Sequence, residues 1–161
     1  MNKSTKTAVK VLFWGYIIIM LWLLFGQRMP YLTLHDYKEQ LRSNLNLVPF
    51  FTIRHYLRLI EMSPNFALIR HAFINLLGNI VMFIPLGLLL PAVWKASRKT
   101  LIFIPAVVGS VCLVEAVQLF TLLGSCDVDD LIFNVIGALL GFILFKIAYT
   151  LYSKHKKDTA G

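Results

Sequence analysis

The residues with chemistry to offer in this 161-residue chain are carboxylic acids and amides, and they fall into three short groups. Asn75 and Asn79 stand four apart, Glu115 and Gln118 three apart, and Asp127, Asp129 and Asp130 crowd together with Asn134 four positions beyond. Helical residues three or four apart share a face, so each group points paired polar side chains in one direction. Two kinds of chemistry suit this set. A carboxyl beside a reacting group can exchange a proton, which makes Glu115, Asp127 and Asp129 the candidates for general acid–base catalysis. The same groups can instead hold a polar ligand by hydrogen bonds. Hard oxygens also suit Mg²⁺ or Ca²⁺, but carboxylates alone do not specify a metal. The expectation is therefore no cofactor, with a divalent cation as the alternative.

Other chemistries lack their parts. His55 and His71 have no metal-ligand company in sequence. No Gly-rich phosphate loop, nucleophile elbow or nucleotide fingerprint appears. Ser110, Ser125 and Cys126 have no paired base nearby. Each polar group also has a purely structural reading. Paired Asn residues can hydrogen-bond neighbouring helices, and Gly137 with Gly141 suits a small-xxx-small helix contact. Asp129 or Asp130 can cap a helix N-terminus and complement its dipole, and Pro85 and Pro105 can kink their helices. Glu115 fits such readings least, because a carboxyl in an apolar run needs a partner or water.

The elements that must position these residues are membrane helices. The chain is 58% hydrophobic and only 15% charged, with a mean hydropathy of +0.71. Soluble domains have about 45–50% apolar and about 25% charged residues. That balance excludes a disordered chain. It also argues against a nucleic-acid partner, despite a net charge of +8 and a pI near 9.7. Four apolar stretches, about 9–27, 72–94, 101–123 and 131–152, approach the roughly 20 residues that span a bilayer core. The first resembles a signal peptide, but residues 27–30 (Gln-Arg-Met-Pro) lack a small-x-small cleavage pattern, so it reads as an uncleaved anchor.

Basic residues orient the spans. Lys3, Lys6 and Lys10 precede the first, Lys95, Arg98 and Lys99 join the second to the third, and Lys154, Lys156 and Lys157 follow the fourth. Loop 124–130 has three aspartates and no base. Both termini are then cytoplasmic by the positive-inside rule, against which stand six bases spread through loop 27–71. With this topology and 1.5 Å per residue, Asn75 and Asn79 lie about 5 and 10 Å below the outer boundary, and Gln118 and Glu115 about 8 and 12 Å. Asn134 lies about 6 Å below Asp130. Three helices place polar groups at one level in the outer half. Loop residues 44–62 read as an amphipathic segment on or dipping into the outer face, or as a packed loop. Arg54, Arg58 and Arg70 are expected above the cluster, where they would attract anionic headgroups or phosphates. An internal disulfide between Cys112 and Cys126 is not expected, since one lies in a span and the other in a loop.

Four ordered elements resemble the VanZ-like family. They are Asn46-Leu47-Val48-Pro49-Phe50; Asn75 through Gly78, Asn79, Phe83, Pro85 and Gly87; Glu115 with Gln118; and Asp127, Asp129, Asp130, Asn134 and Gly137. They cover roughly residues 44–141. The resemblance implies one membrane domain over 1–161 and a multi-pass protein of the bacterial cell envelope, and it links the chain to resistance to the lipoglycopeptide teicoplanin. It implies no known reaction. The fold expected is an all-α four-helix transmembrane bundle with an amphipathic or re-entrant extracellular segment between spans one and two. The function expected is binding of a lipid-linked cell-wall precursor, a lipoglycopeptide or another lipophilic ligand at the outer leaflet. Asn75, Asn79, Glu115, Gln118, Asp127, Asp129, Asp130, Asn134, Arg54 and Arg58 form the candidate binding set. The alternative is an intramembrane enzyme acting on a lipid headgroup. A transporter is disfavoured because the cytoplasmic halves carry almost no polar residue except Lys146.

Overall fold

A computed structural model describes residues 3–26, 37–62 and 65–158, with side chains up to 155. Residues 27–30 and Asp36 lie outside the described residues, and so do the side chains of Lys156 and Lys157. The elements run α1 (Lys3–Phe25), α2 (Tyr37–Ser43), β1 (Leu45–Asn46), α3 (Phe51–Met62), α4 (Phe66–Val93), a 3₁₀ turn (Lys95–Arg98), α5 (Thr100–Thr121), β2 (Cys126–Asp127) and α6 (Val128–Asp158). Helices α1, α4, α5 and α6 are each long and apolar enough to cross a membrane. The fold is an all-α membrane bundle. Its helices outrun the apolar stretches: α1 starts at Lys3, α4 at Phe66, and α6 continues to Asp158. Helical hydrogen bonding does not stop where the apolar stretch ends. Both α4, through Pro85 and Pro91, and α5, through Pro105, remain single helices.

The tightest seam joins α4 to α6. A Cβ on Gly137 would run into the Ile80 carbonyl, one on Gly141 into the Ile84 carbonyl, and one on Gly87 into the Ala138 carbonyl. Only glycine lets the two backbones approach so closely, which is the small-residue packing that lipid-embedded helices rely on. Because the contacts advance together along both helices, α4 and α6 run parallel, and α5 returns between them. The core beneath comprises Phe83, Leu86, Phe103, Val107, Val111, Ala138 and Phe142, with Met20 and Leu24 of α1. Phe103 stacks on Phe142 at 4.1 Å. Tyr16 donates to the Met82 carbonyl at 2.8 Å and ties α1 to α4. Outward-facing residues such as Val11, Ile18, Leu113 and Ile143 are exposed, as lipid-facing positions should be.

The two ends of the bundle differ in chemistry. At one end Arg98 donates to the Pro91 carbonyl at 3.0 Å and lies 4.8 Å over the Tyr149 ring, beside Lys95 and Lys99. At the other, β1, the turn after it and α3 lie against the start of α6. There β1 and β2 pair in parallel, Leu45 against Cys126 and Asn46 against Asp127. Gln118 of α5 donates to the Leu24 carbonyl at 3.2 Å, which sets the C-terminal end of α1 at this pole. Lys3 of α1 therefore shares the opposite pole with Arg98.

Candidate functional site

The site is built on the start of α6. Asp127 occupies the position before that helix, and its Oδ1 accepts from the Asp129 amide at 2.8 Å, satisfying one of the orphan donors of the first turn. Its Oδ2 accepts from the Thr52 hydroxyl and, at 3.1 Å, from Asn46 Nδ2. Asp129, only 1% exposed, reaches across to another helix start. Its Oδ1 accepts from the Phe50 amide and its Oδ2 from the Thr52 amide at 2.9 Å, so it supplies acceptors to partly buried N–H groups at the start of α3 that have no helical partner. The capping roles thus differ from the sequence expectation. Asp127 caps α6, and Asp129 is drawn to α3 because that helix starts beside it.

The turn that these aspartates hold is written in the sequence Asn46 to Thr52. Asn46 Oδ1 accepts from the Val48 amide at 3.3 Å, which bends the chain on itself. Pro49 fixes its own φ through its ring. Phe50 adopts a left-handed φ of 61°, a conformation disfavoured for a bulky side chain. The ties of Asn46, Phe50 and Thr52 to Asp127 and Asp129 over-determine that backbone.

Glu115 and Gln118 continue the buried stripe Phe103, Val107 and Val111 of α5 and are each 4% exposed. Glu115 Oε2 accepts from the Asp127 amide at 3.3 Å. After the left-handed Leu122, at φ 54°, the chain turns back and Gly124 donates to the Gln118 carbonyl at 3.2 Å. Asn79 of α4 donates to Asp130 Oδ1. Asn134 is 2% exposed one turn deeper.

The structure therefore gathers Asn79, Glu115, Gln118, Asp127, Asp129, Asp130 and Asn134 at one pole. Three expected members stand apart. Asn75 is half-buried and makes no side-chain hydrogen bond among the described residues. Arg54 is exposed and donates to the carbonyls of Pro49, at 3.1 Å, and Phe50, at 3.2 Å, of its own turn, and Arg58 and Arg70 are also exposed. The inner face of α3 is formed by Thr52, Ile53, Tyr56, Leu59 and Ile60, so the helix turns its arginines away from the bundle. Sequence reading missed Thr52, and it missed Tyr56, whose hydroxyl meets His71 Nδ1 at 3.2 Å. The available signal was the period of α3, which puts both on its packed face.

Negative charge shapes the chemistry here. Burial pushes the Tyr56 hydroxyl up from its ordinary pKa, and the Asp130 and Asp127 carboxylates add to the shift. Burial also pushes the Cys126 thiol up, reinforced by Glu115 and Asp127. Both cysteines are free. Every oxygen of Asp127 and Asp129 already accepts a hydrogen bond. To move a proton, either residue would first release part of the turn that it holds. Among the described residues no group of three His, Cys, Asp or Glu is arranged to hold a metal ion.

A bundle of four apolar helices with a carboxylate–amide cluster at one pole defines a multi-pass membrane protein. The chain belongs to the VanZ/LLP1 family, whose profile matches residues 13–149. The match extends the likeness beyond residues 44–141 into α1 and well down α6. A curated relative is Protein VanZ of Enterococcus faecium, 26% identical over 147 residues that span 89% of this chain and 76% of that one. No solved structure matches the chain.

Proposed function

We propose that the chain binds a lipid-linked or lipophilic ligand at the outer leaflet and thereby contributes to resistance against teicoplanin-type lipoglycopeptides. The observation that carries this reading is the convergence of buried Glu115, Gln118, Asp127, Asp129 and Asn134 at the pole opposite Arg98, Lys95 and Lys99. Buried polar groups in a membrane protein are costly and mark ligand pathways or sites. Family membership supports the cellular role, and the basic pole, expected at the cytoplasmic side by the positive-inside rule, supports an outward-facing cluster. Binding is favoured over acid–base chemistry because the aspartates are engaged as acceptors from backbone and side-chain donors. Glu115 decides between these readings. Teicoplanin susceptibility is measured in a host expressing each variant at matched membrane abundance. Glu115→Gln, which keeps shape and hydrogen bonding, is expected to retain the phenotype, whereas Asn79→Ala and Glu115→Ala are expected to accumulate normally yet lose it. A stable, inserted and wholly inactive Gln variant would favour the enzyme. Loss of protein in step with phenotype for every variant would reduce the cluster to helix packing.

A further inference from the structure

The turn before α3 exposes what a water-facing turn would hide. Leu47, Val48, Phe50 and Phe51 are each 50–64% exposed. Yet two buried aspartates fix the backbone of this turn, the left-handed Phe50 included. A bulky side chain is disfavoured in that conformation, and strain that the surroundings over-determine points to a function. Held in this way, the turn presents large apolar side chains outward, and exposed apolar patches mark contact with a membrane or a partner. The outward side of α3 continues the surface. There Phe51 and Met62 share one face with Arg54, His55 and Arg58.

The neighbouring side of α4 sets the level of this surface. Val81, Leu77, Phe73, Arg70 and Phe66 recur three or four apart and are all exposed, so they form one lipid-facing stripe. An arginine enters that stripe at position 70, where a long side chain carries its charge out to the headgroups. The adjacent His71 meets the Tyr56 hydroxyl at 3.2 Å and pins α3 beside Arg70. Arg54 and Arg58 stand two residues either side of Tyr56, within about 3 Å along the helix axis. Arg58 and Arg70 make no hydrogen bond or ion pair among the described residues. Glu61 is the only acid between residues 44 and 71. Cations interleaved with apolar side chains at this level are complementary to lipid phosphates above acyl chains. A second copy seated on the same face would set like charge against like.

We infer that Arg54, Arg58 and Arg70 form a girdle that binds the phosphates of anionic membrane lipids around the acidic pole, with the apolar turn 47–51 inserted among those lipids. The girdle needs neither the ligand site nor a particular orientation of the bundle, so either reading can fail alone. The test uses the full chain with Trp14, Trp22 and Trp94 changed to Phe and with Phe51→Trp as the reporter, reconstituted into phosphatidylcholine vesicles. Quenching by a minor fraction of brominated phosphatidylglycerol is compared with quenching by the same fraction of brominated phosphatidylcholine. Each basic side chain at an anionic surface contributes about 1 kcal/mol, or about fivefold at 1.4 kcal/mol per decade. Both lipids are expected to quench, with the anionic one enriched at the reporter at least fivefold. That enrichment should shrink as salt is raised and be mostly lost in Arg58→Gln with Arg70→Gln, whose thermal midpoint in detergent should match that of the reporter chain. If the double variant does not fold, the salt dependence decides. Equal quenching by the two lipids would overturn the girdle, and so would an enrichment unmoved by salt and by the double variant. A reporter that neither lipid quenches would also overturn it: quenching by aqueous iodide would then place the turn in water, and protection from iodide would place it under another protein surface.

Discussion

Replacing Asp129 by alanine removes the acceptors for two partly buried backbone donors, the amides of Phe50 and Thr52. Each donor left bare costs about 1–3 kcal/mol, so the gross loss is about 2–6 kcal/mol. The lost carboxylate in the first turn of α6 adds about 0.3–1 kcal/mol through the helix dipole. A domain's whole stability is about 5–15 kcal/mol. The loss is therefore expected to appear first as local opening, since the turn 46–52 and α3 can lift and let their amides reach water. Helices α4, α5 and α6 keep their glycine seam and aromatic core. Amide hydrogen exchange of the purified protein reads this directly. With tenfold per 1.4 kcal/mol, even the lower bound of about 2 kcal/mol speeds exchange across α3 roughly 30-fold, while exchange in the middle of α4 and α6 stays at the unaltered rate. Asp129→Asn, which keeps one oxygen but turns an amide toward the other donor, is expected to fall between. Exchange in α3 unchanged by Asp129→Ala would refute the claim that this carboxylate holds the segment. Equal acceleration throughout the bundle would refute the claim that the segment opens independently.

Two further expectations follow from packing and charge. Gly141→Ala places a methyl group against the Ile84 carbonyl and should destabilise by about 1–3 kcal/mol, whereas Gly15→Ala, whose Cβ meets nothing within 4 Å, should be neutral or stabilising. Thermal midpoints of the two variants in one detergent check the contrast. The raised pKa of the Cys126 thiol lowers its thiolate fraction at neutral pH, so alkylation should be slower than for a free thiol and should climb through a midpoint at higher pH. Glu115→Gln removes one contributing charge and should move that midpoint down. Alkylation at pH 7.5 as fast as that of free cysteine would contradict the negative environment.

The spans were legible because hydropathy over some twenty residues is a signal that no local context overrides. The common level of Asn79, Glu115, Gln118 and Asn134 was legible for a related reason, since helical rise turns sequence position into depth. What joins these residues was not. Asp127 meets Asn46 and Thr52, and Asp129 meets Phe50 and Thr52, across sequence separations of 75–81 residues. No periodicity encodes such contacts. That Asp127 caps α6, where the sequence pointed to Asp129 or Asp130, turned on where α3 begins, which is a tertiary fact. Arg54 and Arg58 come to the outward side of α3 because Thr52, Ile53, Tyr56, Leu59 and Ile60 decide which side of that helix packs.

The reading of an outward-facing site stands or falls on which side of the membrane holds the acidic pole. Cys126 is half-buried with a raised thiol pKa, so its exposed neighbour Ser125 makes the better reporter. Exposed Ala96 reports on the basic pole, where Ser97 is fully buried. In a background with Cys112→Ala and Cys126→Ala, single Ser125→Cys and Ala96→Cys variants are treated with a membrane-impermeant thiol reagent in intact cells. Labelling at position 125 at once, and at position 96 only after the membrane is opened, is the expected result. Labelling at 96 in intact cells with protection at 125 would put the carboxylate–amide cluster in the cytoplasmic half and contradict an outer-leaflet ligand.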